Sequence, residues 1–77
     1  MPEDYFETLA SRIQILRKTA NMSQAQLGTV IGKDQQYVSK LENGVISAVP
    51  ASVAMKLAGA LDCSMELLIY GDDLWEG

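Results

Sequence analysis

The sequence predicts an all-α fold, a compact domain of five short helices. Three observations carry this. Phe6, Leu9, Ile13, Leu16 and Ala20 recur at three- and four-residue steps, the helical period. The rest of the chain is punctuated by helix-start residues (Ser23, Asp34, Pro50, Ser64) and by stops at Gly32 and Asn43-Gly44. No stretch alternates with period two for long enough to form a strand.

Taken in order, the first helix is expected from about Glu3 to Ala20. Glu3, Asp4 and Glu7 fall in its first turn and Arg17 and Lys18 in its last, which suits the helix dipole; Asn21 is a stop. Ser23-Gln24-Ala25-Gln26 reads as a capping box that opens a second helix, with Leu27, Val30 and Ile31 on its apolar side. Gly32 ends it, and only Lys33 stands before Asp34, the N-cap of a third helix over Gln35 to Glu42. Val45 to Val49 is a loop. Pro50 suits the first turn of a fourth helix, with Val53, Leu57 and Leu61 inward. Ser64 caps a fifth, with Met65, Leu68 and Ile69 inward, and Met22, Met55 and Met65 read as core. The domain is expected over residues 1–70, with a short acidic tail over 71–77.

Composition narrows the function. The chain has 77 residues, so its core must be economical. Hydrophobic residues at 48% and charged residues at 21% fit a globular domain and not a disordered one. There is no His, which removes Ser-His, Cys-His and His-metal constellations. Cys63 is the single cysteine, so no CxxC site exists; it reads as a small buried filler in a chain of the reducing cytoplasm. No phosphate-cradling glycine motif, membrane span or signal peptide is present. The expectation is a binding protein, not an enzyme, with no cofactor, metal, small-molecule ligand or membrane partner.

The net charge of −4 is unevenly spread. Residues 1–10 carry −3 and residues 45–77 carry −4. Residues 11–44 carry +3, from Arg12, Arg17, Lys18, Lys33 and Lys40 against Asp34 and Glu42. A weakly basic middle between acidic ends locates an electrostatic footprint. Two helices joined by a tight glycine turn make a helix-turn-helix by geometry, and its second helix can enter a major groove. On that helix Val38, Leu41 and Tyr37 share one side, and Gln35, Gln36, Ser39 and Lys40 the other. The outer side holds no carboxylate. Its amides suit adenine N6 and N7, and its ammonium suits guanine O6 and N7. A plain solvated face is the alternative.

Arg17 and Glu42 each border an apolar face, and a charge at the edge of a core needs a partner. Their pairing would lock the first helix to the end of the third; two separately solvated charges are the alternative. Tyr37 lies at the boundary of the two faces, as a half-buried ring, a hydroxyl on phosphate, or a contact to a thymine methyl. Lys18 and Lys33 face a nucleic-acid backbone or are ordinary surface lysines.

These residues resemble a known family. Ser23-Gln24-Ala25-Gln26-Leu27-Gly28, Ile31-Gly32 and Gln35 through Gly44 look like the Cro/cI-type (XRE) helix-turn-helix, and Leu57 to Leu61 with Ser64 to Leu68 resemble its last two helices. Gln35-Gln36 and Leu41-Glu42-Asn43-Gly44 look like lambdoid phage repressors; Tyr37 and the small size also resemble restriction–modification controller proteins. The resemblance implies a lambda-repressor-like domain that binds double-stranded DNA as a transcriptional regulator. An operator would be occupied, and RNA polymerase blocked or recruited. An antitoxin-type regulator, or an interaction module that no longer binds DNA, is the alternative.

By the same resemblance Gln35, Gln36 and Lys40 would read bases, and Ser39 is expected to join them from the same outer side. Gln24 and Asn43 would touch the sugar-phosphate chain by the resemblance, with Lys33 and Tyr37 expected there from their own placement, and Arg17 and Glu42 would form the family's buried ion pair. Gly28 stands where the family usually has Ala, and either is expected to be small enough for the helices to meet. The loop Val45-Ile46-Ser47-Ala48-Val49 has no base, where many relatives grip phosphate; with the acidic total, this implies modest non-specific affinity. One recognition helix reads too few base pairs to find one genomic site, so a homodimer on a pseudo-palindromic operator is expected. Its interface is expected at Val45, Ile46, Val49, Leu67, Tyr70, Leu74 and Trp75.

Overall fold

The structure, a computed structural model, describes residues 8–46 and 48–70. It is all-α, with α1 at Leu9–Thr19, α2 at Gln24–Val30, α3 at Gln35–Glu42, α4 at Ala51–Leu61 and α5 at Met65–Tyr70. The start of α1 differs from expectation. Thr8 is its N-cap, its Oγ1 accepting from the Ser11 N–H at 3.0 Å, and no carboxylate lies in the first turn. Glu3, Asp4, Phe6 and Glu7 lie outside the described residues.

The other starts follow the residue chemistry. Ser23 and Gln26 form the expected reciprocal box, with Gln26 N–H donating to Ser23 Oγ at 3.0 Å and Ser23 N–H to Gln26 Oε1 at 2.7 Å. Asp34 accepts from Tyr37 N–H at 2.9 Å. Ser64 accepts from Leu67 N–H at 3.0 Å. Pro50 stands one residue earlier than expected, as the N-cap of α4 and not inside its first turn; its extended ψ of 154° keeps it outside the helix.

Four helices end in one way. A backbone N–H beyond the helix reaches back to the carbonyl five residues earlier: Met22 to Arg17, Lys33 to Gly28, Val45 to Lys40 and Cys63 to Ala58. Each closure needs one left-handed residue, supplied by Asn21, Gly32, Gly44 and Asp62. Asn and Asp tolerate that conformation because their short polar chains bond locally.

The core is Ile13, Leu27, Ile31, Val38, Leu41, Val53, Leu57, Ala58, Leu61 and Leu68, all buried. Helices α2 and α3 pack most closely on each other; α1 lies against α3, α4 and α5. Three residues expected inward are not there. Met55 is 64% exposed, because the buried stripe of α4 is Val53, Ala54, Leu57, Ala58 and Leu61, which puts position 55 on the opposite side. Val30 is exposed because Leu27, Gly28 and Ile31 take the inner face of α2. Ile69 is exposed at the edge of α5, where Leu68 takes the core.

Arg12, a base with no individual role in the sequence reading, is buried. Its Nε donates to the Leu68 carbonyl at 2.7 Å and its Nη2 to the Ile69 carbonyl at 2.8 Å. These are among the last carbonyls of α5, which lack intrahelical donors. An arginine from α1 therefore caps α5 and ties the two ends of the domain together.

Gly28 corrects another expectation. A Cβ at this position would stand 2.6 Å from the Asp34 carbonyl carbon and oxygen. Alanine is not small enough here; the turn brings the start of α3 closer to α2 than a methyl group allows. Gly59, on the solvent side of α4, has nothing within 4 Å of the same position. The two sites give opposite outcomes by thermal or urea unfolding. Gly59→Ala stabilises by about 0.5–1 kcal/mol through helix propensity. Gly28→Ala destabilises by about 1–2 kcal/mol, because overpacking outweighs the same propensity gain.

Candidate nucleic-acid interface

The site is built around a buried ion pair. Arg17 in the last turn of α1 turns inward and meets Glu42, the last residue of α3. Arg17 Nε donates to Glu42 Oε2 at 2.6 Å and Nη2 to Oε1 at 3.1 Å, a two-pronged contact matched to guanidinium geometry. Side-chain exposure is 10% for Arg17 and 2% for Glu42, so both charges are desolvated. Arg17 Nη1 also donates to the Met22 carbonyl at 2.8 Å, in the loop that leads to α2. Gln24 Nε2 donates to Glu42 Oε1 at 3.1 Å. One carboxylate thus fastens the end of α1, the start of α2 and the end of α3.

This frame holds the outer side of α3 toward solvent. Gln35, Gln36 and Lys40 are exposed, and Ser39 is half-buried with its Oγ accepting from Asn43 Nδ2 at 3.3 Å. Asn43 itself is exposed. Val38 and Leu41 on the opposite side are buried, which fixes the rotation of the helix. Tyr37 is half-buried against the core, and Lys33 Nζ lies 5.0 Å from its ring centroid. Gln24 is turned toward Glu42, so its amide nitrogen is engaged inside the protein.

The remaining expected site residues are less uniformly displayed. Val45 is 71% exposed. Ile46 and Val49 in the same loop pack partly against this domain's own core, and Leu67 is half-buried. The Tyr70 side chain and residues Leu74 and Trp75 lie outside what the structure describes.

The basic middle is thinner than the sequence implies. Of its five bases, Arg12 and Arg17 are buried within the fold, and Lys18, Lys33 and Lys40 are exposed. A fourth exposed lysine was missed. Lys56 of α4 brings its Nζ to within 3.7 Å of where a Cβ of Gly32 would stand, beside the turn between α2 and α3. Nothing local marks this, because the contact crosses from one helix to another.

Cys63 fits its reading as filler. It is partly buried, and burial together with the neighbouring Asp62 carboxylate pushes its thiol pKa above the usual value, which disfavours the reactive thiolate. Among the described residues no group of three or more carboxylates and thiols is arranged to hold a metal, and no helix is long and apolar enough to cross a membrane.

Two helices joined by this turn, with the second displayed outward, define a helix-turn-helix. Residues 13–68 match the profile of the helix-turn-helix family, and the chain belongs to that family. Comparison with curated protein sequences gives no significant match. Among solved structures the chain is similar to the P22 c2 repressor crystallised with a synthetic operator, at 29% identity over 86% of this chain and 98% of that one, with a TM-score of 0.79. It is also similar to a hypothetical transcription factor, NHTF, from Neisseria, at 27% identity over 96% and 83% of the two chains, TM-score 0.74. The fold alone is shared with the biofilm regulator SinR, at 24% identity over 79% and 97%, TM-score 0.74.

Removing one member of the ion pair leaves the other's charge buried without a counter-charge, held only by Gln24 for Glu42 or by the Met22 carbonyl for Arg17. Arg17→Ala and Glu42→Ala are each expected to cost about 3–5 kcal/mol. In a domain this small that lowers the melting temperature by well over about 10 °C. Joint replacement by apolar residues, Arg17→Met with Glu42→Leu, recovers much of the loss, because no charge is then stranded. Circular dichroism melts of the three variants check this.

Proposed function

We propose that the chain is a regulator that binds double-stranded DNA in a sequence-specific way, with α3 in the major groove. The observation that carries this is the outer side of α3. Gln35, Gln36 and Lys40 stand exposed on a helix whose opposite side is locked into the core, and no carboxylate lies among them. The likeness to the operator-bound P22 c2 repressor supports the same reading. Gln35, Gln36, Ser39 and Lys40 read base edges, Ser39 while accepting from Asn43. Lys33, Tyr37 and Asn43 lie against the backbone. Gln24 reaches the backbone only through what its bond to Glu42 leaves free, so its first role is to brace the start of α2.

The finer reading is a cytoplasmic repressor acting as a homodimer on a pseudo-palindromic operator, hindering RNA polymerase by occupancy. The helix-turn-helix domain spans 1–70 and the acidic tail 71–77. Val45, the most exposed large hydrophobe among the described residues, leads the interface between protomers, with Ile46, Val49, Leu67, Tyr70, Leu74 and Trp75 around it. A protein-interaction module is the second reading. It is favoured by the acidic total, the exposed Val45 and the inward turn of two arginines.

Titration of labelled duplexes separates these. Gln35→Ala or Gln36→Ala weakens the preferred operator by about 1–3 kcal/mol and relaxes preference at one base pair, while Lys33→Met weakens all duplexes alike. Equal losses on every sequence from all three variants would remove α3 as the reader, and no complex even at low salt would favour the interaction module. In sedimentation with operator the protein forms a two-to-one complex, and Val45→Asp shifts it toward one-to-one. A wild-type protein that stays one-to-one on DNA contradicts the dimer.

A further inference from the structure

Lys33 is held in an unusual way for a surface lysine. Its backbone is fixed by the turn, where its N–H donates to the Gly28 carbonyl at 2.7 Å, between left-handed Gly32 and the capping residue Asp34. Its ammonium lies 5.0 Å from the centroid of the Tyr37 ring, one turn into α3. Among the described residues it makes no ion pair, although Asp34 is its chain neighbour. The ring is itself fixed, half-buried against the core.

A free lysine chain has many rotamers, and most of that freedom is lost when it grips a partner. A ring face attracts the ammonium while engaging none of its N–H donors, and a carboxylate partner would both engage them and neutralise the charge. Tyr37 therefore restricts Lys33 in advance and leaves its charge and donors available. The Tyr37 hydroxyl has no protein partner among the described residues, but the ring, not the hydroxyl, does the holding.

We propose that Tyr37 is a positioning residue, whose ring holds the Lys33 ammonium at the leading end of α3 to receive a phosphate oxygen of duplex DNA. This rests on the DNA-binding reading above and adds to it a coupling between two residues. It also selects among the roles open to Tyr37: the ring is occupied by the lysine and is not a thymine-methyl contact.

The test has two arms. In free protein, proton NMR of Lys33 reads the contact directly. The Lys33 Hε resonances are shifted upfield by the ring in wild type and Tyr37→Phe, and return to ordinary values in Tyr37→Leu. On a duplex, affinity is measured across a salt series for Tyr37→Leu, Tyr37→Phe, Lys33→Met and the double variant Lys33→Met/Tyr37→Leu. Lys33→Met lowers the slope of log affinity against log salt by about 0.9 per bound protomer. Tyr37→Leu weakens binding about threefold to fivefold, Tyr37→Phe, which keeps the ring, loses clearly less than Tyr37→Leu, and Tyr37→Leu has no further effect once Lys33 is Met. Equal losses from Tyr37→Leu in both backgrounds, or a loss in Tyr37→Phe as large as in Tyr37→Leu, overturns the proposal. Unshifted Lys33 resonances in wild type overturn it without DNA. A wild-type protein with shifted Lys33 resonances and no duplex affinity overturns instead the DNA-binding reading on which it rests.

Discussion

The Glu42 carboxylate is the constraint on which the arrangement of this domain depends. Almost fully buried, it receives two bonds from Arg17 and one from Gln24. A buried charge is tolerable only when its hydrogen-bonding capacity is met, and here the donors come from two different helices. The result is geometric as much as energetic. The end of α1, the start of α2 and the end of α3 are held to one point, so α3 can expose its polar side without drifting. Helices of seven and eight residues have little stability of their own, and this crosslink with the core beneath it supplies their order.

The economy of positive charge follows from the same frame. Both arginines serve the fold, Arg17 at the ion pair and Arg12 at the carbonyls of α5, which leaves lysines to face solvent. Long-range attraction to a polyanion is then weak for a chain of net charge −4. On the proposed reading, specific recognition comes from well-placed short-range contacts: amides on α3, a lysine restrained on a tyrosine ring, and a second copy of the domain. Each gains from rigidity, which the close turn at Gly28 and the capped helix ends provide.

Much of this was legible in the sequence because the signals are local. Caps at Ser23, Asp34 and Ser64 act within three residues, and Asp34 together with the stop at Asn43-Gly44 bounds α3 at the expected residues. The Arg17–Glu42 pair was legible because each charge borders an apolar face. What escaped was set by contacts between distant parts of the chain. Arg12 looks like any surface base until α5 is packed across it. Lys56 looks like part of an acidic segment until α4 lies beside the turn. Gly28 reads as tolerant of a methyl group, because only the folded turn brings Asp34 against it. Met55 reads as core because a methionine between apolar neighbours does not reveal which stripe α4 buries.

The central claim is that the outer side of α3 reads duplex sequence. Its most direct measurement is selection of bound duplexes from a random pool by the wild-type protein at low and moderate salt. The account predicts enrichment of a two-fold symmetric motif whose half-sites are centred about one helical turn apart, with the strongest base preferences lost at the positions read by Gln35 and Gln36 when those residues are alanine. Recovery of no preferred sequence at any salt, from a protein that melts cooperatively, would contradict it.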